Sequence, residues 1–256
     1  MEKAKSGENG SVKIDRPEQS HVNQLKNQGF TLFPGVVSIS ERARLLDALG
    51  PVTGAGWRGA LAVQPVAQLA FSPLLLNLLR PYMSGIPRPV RAIYFDKGRY
   101  SNWLVAWHQD LTISVSNRIE VAGFGPWSLK EGVHHVQPPV DLLENMLTAR
   151  LHLDDCDLTN GALRVLPGSH NSGKLSTERI LQFRKETTEV VCCAFAGDVL
   201  LMRPLLLHSS GRSNCDRHRR VVHIEYTTDQ LPTGLAWSEP EEPRLPAIQP
   251  CSNQQR

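Results

Sequence analysis

The sequence predicts a mainly β domain with helices from its N-terminal part packed on a β core. Three observations carry that expectation. Helical patterns are confined to the first third of the chain, and a succession of short strand-like runs broken by Gly, Asn and Pro follows. No internal repeat is visible. At 256 residues the chain can bury a sizeable core, and a barrel of this length is one domain rather than two.

Residues 1–20 are polar and charged, the composition of a disordered tail, and the folded domain is expected over 21–230. "HVNQLKNQGFTLFPGVVSISERARLLDALG", residues 21–50, predicts helix, short strand, turn and helix. Ser40 is the expected N-cap of the second helix and Gly50-Pro51 its stop. "PVAQLAFSPLLLNLLRPYM" predicts more helix, ending before the proline-rich "GIPRP". Strands are then expected in "VRAIYF", "NWLVAWHQDL", "MLTARLHLDD", "ALRVLPGSH", "EVVCCAF", "DVLLMRPLLLHSSG" and "RRVVHIEYTT". Residues 118–145 are too long for a hairpin connection. As an inserted loop holding Trp127, His134, His135 and Gln137 they have the composition of a binding lid, or of a solvated loop packed on itself. Residues 231–256, rich in Pro, Glu and Gln, predict an extended tail.

Composition removes several function classes. A formal net charge of +3 with no Lys/Arg-rich block gives no electrostatic footprint for nucleic acid. No apolar run approaches the roughly 18–20 residues that span a bilayer, and the opening segment lacks the apolar stretch of a secretory signal. The five cysteines (156, 192, 193, 215 and 251) are odd in number and without C-x-x-C spacing, which predicts reduced thiols and a cytoplasmic protein.

The chemistry is expected at "AWHQD", residues 106–110. On a strand His108 and Asp110 project to one face and Gln109 to the other. An imidazole and a carboxylate side by side are two arms of a metal site, and His208, ending the apolar run "LLLH", is the best third. Two histidines and a carboxylate on one side of a cation leave three positions open. That suits Fe(II), which must take a chelating cosubstrate and O2 together, better than zinc. Alone, an H-x-D is common by chance, and a histidine at a strand end is more often a hydrogen-bonded structural residue. Arg219, eleven positions after His208, adds the bidentate cation that the distal carboxylate of a dicarboxylate requires, and the Ser210 hydroxyl is placed to support it.

In this order, "WHQD", "LDDCDLTNGALRVLPGSH", "GDVLLMRPLLLHSSG" and "RRVVHIEYT" resemble the phytanoyl-CoA dioxygenase family of Fe(II)/2-oxoglutarate oxygenases, which includes ectoine hydroxylase-like enzymes. The opening "LKNQGFTLFPGVVSISERARLL" is similar to that family's N-terminal helix-strand-helix, so the resemblance spans roughly residues 21–228. It implies a double-stranded β-helix (jelly-roll, cupin-like) core. It also implies iron on His108, Asp110 and His208, with 2-oxoglutarate anchored by Arg219 and Ser210 and consumed with O2 to succinate and CO2. Halogenating relatives have lost the carboxylate ligand, so Asp110 favours hydroxylation, although desaturation or ring closure would use the same ligands.

Further residues follow from that alignment. Arg150 stands where relatives often carry a tryptophan lining the cosubstrate pocket. It contacts 2-oxoglutarate, meets an anionic substrate, or pairs with a neighbouring acid. In "MLTARLHLDD" it shares a face with Thr148, His152 and Asp154, opposite Leu147, Ala149, Leu151 and Leu153. Ile93 of "RAIYFDK" is a weaker cosubstrate-pocket candidate, core packing being the alternative, and His170 of "PGSH" is expected to be structural or at the pocket rim. Arg217 and Arg220 compete with Arg219 for the anchor role, but spacing and parity favour Arg219. Trp127, His135 and Gln137 are the candidates for substrate contact.

The expected function is therefore a 2-oxoglutarate-dependent dioxygenase hydroxylating a small molecule, for which the arginines hint at an anionic one. The alternatives are a non-catalytic metal-binding jelly roll and, less well matched to the motifs, a zinc hydrolase or lyase.

Overall fold

The computed structural model describes residues 19–239 apart from positions 53 and 55. Helix α1 (Gln19–Gln28) leads into strand β1 (Phe30–Phe33) and helix α2 (Ile39–Leu49). The α2 cap is Ser38, not Ser40: its hydroxyl accepts the Glu41 amide proton at 3.2 Å, so the S-x-x-E spacing starts two residues earlier than expected. Gly50 ends the helix with φ 61°, where a side chain is disfavoured. Strand β2 (Gly56–Arg58) and helices α3 (Gln64–Ala70) and α4 (Pro73–Leu79) complete the N-terminal part. The stretch read as one helical segment is two, because Ser72-Pro73 caps and restarts the chain: Pro has no amide to continue α3, and Ser72 accepts from Leu75 N.

The remaining strands are β3 (Arg88–Lys97), β4 (Val105–His108), β5 (Ile113–Val115), β6 (Trp127–Lys130), β7 (Val133–Val136), β8 (Leu147–His152), β9 (Leu163–Val165), β10 (Val190–Cys192), β11 (Val199–Met202), β12 (His208–Ser210) and β13 (Arg219–Thr227). Helices α5 (Val140–Asn145) and α6 (Thr177–Glu186) lie among them. The strands form three antiparallel sheets, ordered β1-β11-β8-β13-β3-β2, β10-β9-β12-β4 and β5-β7-β6. The first two are the large and small sheets of a jelly roll.

Alternation along the large sheet assigns its two faces opposite jobs. Ala92 and Tyr94 of β3, Leu147, Ala149 and Leu151 of β8, and Val222, Ile224 and Tyr226 of β13 join one cluster with Leu45, Leu69, Leu75 and Leu79 of the helices. Burying each such leucine is worth roughly 1.5–3 kcal/mol, which is why the helices lie where they do. The Tyr226 hydroxyl donates to the Ala70 carbonyl at 3.0 Å and ties sheet to helix. The other face is apolar only at the β1–β11 end, where Phe30, Leu200 and Met202 meet Leu163, Val165 and Leu206. Toward β13 and β3 it turns polar and opens into a cavity.

Residues 118–145 hold more structure than a loop. β6 and β7 form a hairpin that pairs onto β5, and α5 follows. Its two-residue turn is Glu131-Gly132, both at positive φ (52° and 79°), the conformation whose twist matches the strands it joins. Of the expected C-terminal tail, residues 231–239 are described. Leu235 and Trp237 are buried beside Ile113 and Val115, and the Glu239 carboxylate accepts amide protons from Leu61 and Ala92. The remainder of that tail and residues 1–18 of the N-terminal one lie outside the described residues. Cys156, Cys192, Cys193 and Cys215 are free thiols, and no described helix is long and apolar enough to cross a membrane.

Leu151, 1% exposed at the centre of the helix-facing cluster, tests this division of faces. Leu151→Ala is expected to cost about 2–5 kcal/mol in chemical denaturation. Metal affinity should stay unchanged, because the side chain points away from the cavity.

Candidate functional site

β4 and β12 are antiparallel neighbours in the small sheet, in a register that sets His108 directly opposite His208. Their ring centroids are 4.2 Å apart. Each Nδ1 lies against a carbonyl of its own strand: His108 at 2.8 Å from Ala106 O, His208 at 2.9 Å from Leu206 O. A carbonyl only accepts, so Nδ1 carries the proton on both rings and both Nε2 lone pairs are left for a ligand.

The chain leaves the sheet after His108, so Asp110 is not a strand residue, yet its carboxylate still faces the two rings. Two anchors hold it there. The Asp110 amide donates to Pro204 O at 2.9 Å. The buried Gln109 amide group donates to Gly173 O and Leu205 O at 2.8 and 2.7 Å and accepts from Leu175 N at 2.8 Å, so it knits the loop to the neighbouring chain. As a result Asp110 Oδ1 lies 3.6 Å from His108 Nε2, and Oδ2 lies 3.6 Å from His208 Nε2. These separations are too long for hydrogen bonds, and the buried Oδ2 has no partner.

All three ligand atoms fall within 4.8 Å of one another. Burial acts to raise the Asp110 carboxyl, but the surrounding histidines, His208 foremost, outweigh it and hold the group well below the usual carboxylate range. Burial pushes His208 down to about 4, so it is a neutral imidazole at pH 7. An orphaned anionic oxygen between two directed lone pairs fits a divalent cation, with the remaining coordination positions facing open space.

That space is a cavity of about 350 Å³. Ile93, Arg150, Ser210 and Arg219 line it, so the structure gathers these sequence candidates around the triad. Of the competing arginines, Arg217 is paired with Asp157 and Arg220 with Asp154, whereas Arg219 is 3% exposed and has no acid partner among the described residues. Arg150, also buried, donates to His223 Nδ1 at 2.9 Å and lies over the Phe95 ring, not beside an acid among the described residues. Burial and the nearby Arg219 bring the Arg150 guanidinium down to about 10.

His135 reaches the cavity from β7, but Trp127 and Gln137 do not line it. Trp127 pairs with Val136 across the hairpin and packs into the cluster with Ile113 and Leu143. Gln137, beyond the strand end, accepts from Lys174 at 2.5 Å. His170 lies apart from the triad. Its Nε2 donates to Lys26 O at 3.1 Å and its ring sits where a Cβ on Gly29 would be, a packing role between α1 and the small sheet.

The cavity residues Arg91 and His223 escaped the sequence reading, as did Lys97 and Glu225 buried behind the cavity wall. Lys97 is fully buried behind Ser210, donating to its Oγ at 3.1 Å and to Gly211 O at 2.6 Å. Burial, with Arg219 next in weight, brings its ammonium down to about 7. Arg91 and Glu225 form a buried ion pair, and His223 Nε2 lies 3.4 Å from Glu225. A signal existed: counting by twos from Ile93 reaches Arg91, Phe95 and Lys97, and counting by twos from Arg219 reaches His223 and Glu225.

A search of curated proteins finds no match to the sequence. Solved structures do match. EctD from S. alaskensis in its apoform superposes with a TM-score of 0.66 at 17% identity, covering 91% of this chain and 84% of that one. AviO1 from Streptomyces viridochromogenes Tue57 gives 0.61 at 21% identity, over 84% and 96%. HygX from Streptomyces hygroscopicus, solved with nickel and 2-oxoglutarate bound, gives 0.59 at 18% identity, over 83% and 87%. At these identities the likeness establishes the fold.

A jelly roll with two histidines and an aspartate on the wall of a cavity lined by buried cations is the framework of an iron- and 2-oxoglutarate-dependent oxygenase. The sequence match is to the family model for phytanoyl-CoA dioxygenase (PhyH), over residues 25–221. The chain belongs to that family.

Two substitutions test the site. His208→Ala is expected to lower Fe(II) or Co(II) affinity at least 100-fold by calorimetry while the protein stays folded. Gln109→Leu strands two carbonyls and an amide that are now paired, and should cost about 2–4 kcal/mol of stability with a weakening of metal binding. Full stability in that variant would show that the amide does not hold the ligand loop.

Proposed function

We propose that the protein is a hydroxylase: O2 gives one oxygen atom to an unactivated C–H bond of a small molecule and the other to 2-oxoglutarate, which becomes succinate and CO2. One observation carries this reading: Arg219 and Arg150, both buried, line the cavity with the metal triad, and neither is paired with an acid among the described residues. Two desolvated guanidinium ions without an anion are costly to fold, unless the site is built for a carboxylate. A dicarboxylate that chelates a metal at one end and meets guanidinium at the other fits both halves of the cavity. A non-catalytic metal-binding jelly roll has no use for the second half.

His108, Asp110 and His208 would hold the iron in this reading, and iron bound there with 2-oxoglutarate would activate O2 for attack on the C–H bond. The protein's own residues do the placing. The Nδ1–H bonds to Ala106 O and Leu206 O keep both imidazoles turned with Nε2 toward the metal. Arg219 takes the distal carboxylate, with the Ser210 hydroxyl, itself held by Lys97, beside it. Arg150, fixed by His223, offers a second guanidinium near that end of the cavity and serves the cosubstrate rather than the substrate. Asp110 fills the third protein position, which favours hydroxylation over halogenation.

Anaerobic titration of the Fe(II) protein with 2-oxoglutarate tests the reading through the weak visible absorption of the chelate. The band is expected in the wild type and absent in His108→Ala. Losing charge-assisted hydrogen bonds worth about 1.5–3 kcal/mol, Arg219→Ala should need roughly 10–100 times more 2-oxoglutarate. Arg150→Ala should raise the KM for 2-oxoglutarate whichever primary substrate is used. No band in folded, iron-loaded protein would sink the oxygenase reading and leave the metal-binding module in its place.

A further inference from the structure

The cavity has a second charged end that the metal and 2-oxoglutarate do not occupy in the reading above. Arg58 comes from β2, Arg91 from β3 and Lys130 from the tip of the β6–β7 hairpin, and all three line the cavity on the side away from Arg219. Their partners are unequal. Arg58 is paired with Glu131 of the same hairpin, an exposed contact that a ligand can compete for. Arg91 gives one nitrogen to Glu225 and another to Thr112 O at 3.2 Å, but its Nε, buried, has no acceptor. Lys130 has no hydrogen-bond or ion-pair partner among the described residues. Lys130 is exposed at its outer side, and its ammonium is lowered by partial desolvation and by Arg91 and Arg58, with which it shares the cavity wall.

His135 stands among them, 1% exposed. Its Nδ1 lies 3.1 Å from Val133 O, which makes Nδ1 the donor and leaves Nε2, buried and unpartnered, as an acceptor. Arg58, Arg91 and His135 also line a side chamber of about 230 Å³, so the main cavity continues past them. Glu239 lies at the far end of that chamber, with two backbone amides on its carboxylate and burial bringing it up to about 7. Glu131, Glu225 and Glu239 are thus each engaged, whereas Lys130 and the Arg91 Nε–H are free donors.

We infer that this end of the cavity is a substrate subsite for an anionic group, a carboxylate or phosphate, held by Arg58, Arg91 and Lys130 beside the His135 acceptor. The inference rests on the oxygenase reading only for the identity of the ligand as substrate. It narrows the substrate to a small acid whose reacting carbon lies within one cavity length of its anionic group.

The test is calorimetric titration of Co(II)-loaded protein, saturated with 2-oxoglutarate, with butyl phosphate, butyrate and butanol. One of the two anions is expected to bind at least ten times more tightly than the neutral alcohol. That preference should fall about tenfold or more in Lys130→Gln and in Arg58→Gln, and remain in Arg118→Gln. Arg118→Gln removes the same charge from the same inserted segment, but at a residue that does not line the cavity. Whichever anion binds identifies the group as carboxylate or phosphate. Equal binding of anions and alcohol overturns the subsite, as does an anion preference that survives in both Gln variants or that vanishes on raising 2-oxoglutarate. The visible chelate band, read separately, reports on the oxygenase reading, so the two ideas fail independently.

Discussion

The antiparallel pairing of β4 with β12 is the constraint on which the site depends. It sets His108 against His208 across one rung, and because each ring donates through Nδ1 to its own strand, the two Nε2 atoms converge with no other partner. The third ligand needs no strand of its own. It needs only the chain to turn off the sheet at a fixed angle, which Gln109 secures by bonding to backbone on two other segments. A metal centre made this way is as rigid as the small sheet.

The large sheet provides the other half. Its strands place apolar side chains toward the helices and polar ones inward, so a single ladder stabilises the fold on one face and builds a charged cavity on the other. Buried arginine and lysine without acids would destabilise a resting domain. Here the destabilising cations are concentrated in β3, β8 and β13, the central, most extensively paired strands, where the helix-facing leucines and Tyr226 supply compensation in the same residues' neighbours.

Charge then divides the cavity along its length. Arg219 and Arg150 line one part, with Lys97 buried behind Ser210, and Arg58, Arg91 and Lys130 line the other. The Arg91–Glu225–His223–Arg150 series runs along the inner face and links the two ends through buried polar contacts. A substitution at His223 therefore touches both, although it contacts neither ligand in the functional reading.

Much of this was legible in the sequence, and the reason is local periodicity. Parity on a strand separated Arg219 from Arg220 and assigned the faces of "TARLHL", because side chains in a ladder alternate whatever the partner strand is, whereas Asp110 lies beyond the end of β4 and meets His108 through the turn that Gln109 holds. What the sequence could not yield was whatever depends on which strand lies beside which. Arg150 meets His223 and not an acid only because β8 pairs with β13. Lys97 is buried behind Ser210 only because the end of β3 packs against β12. Residues 118–145 looked like a loop because each hairpin strand is four residues long and gains its order from pairing with β5, and so Trp127 was credited with substrate contact when its partner Val136 turns it into a core. Residue type and alternation are carried by the chain alone, whereas a buried charge acquires its neighbours, and hence its chemistry, only when distant strands close on one another.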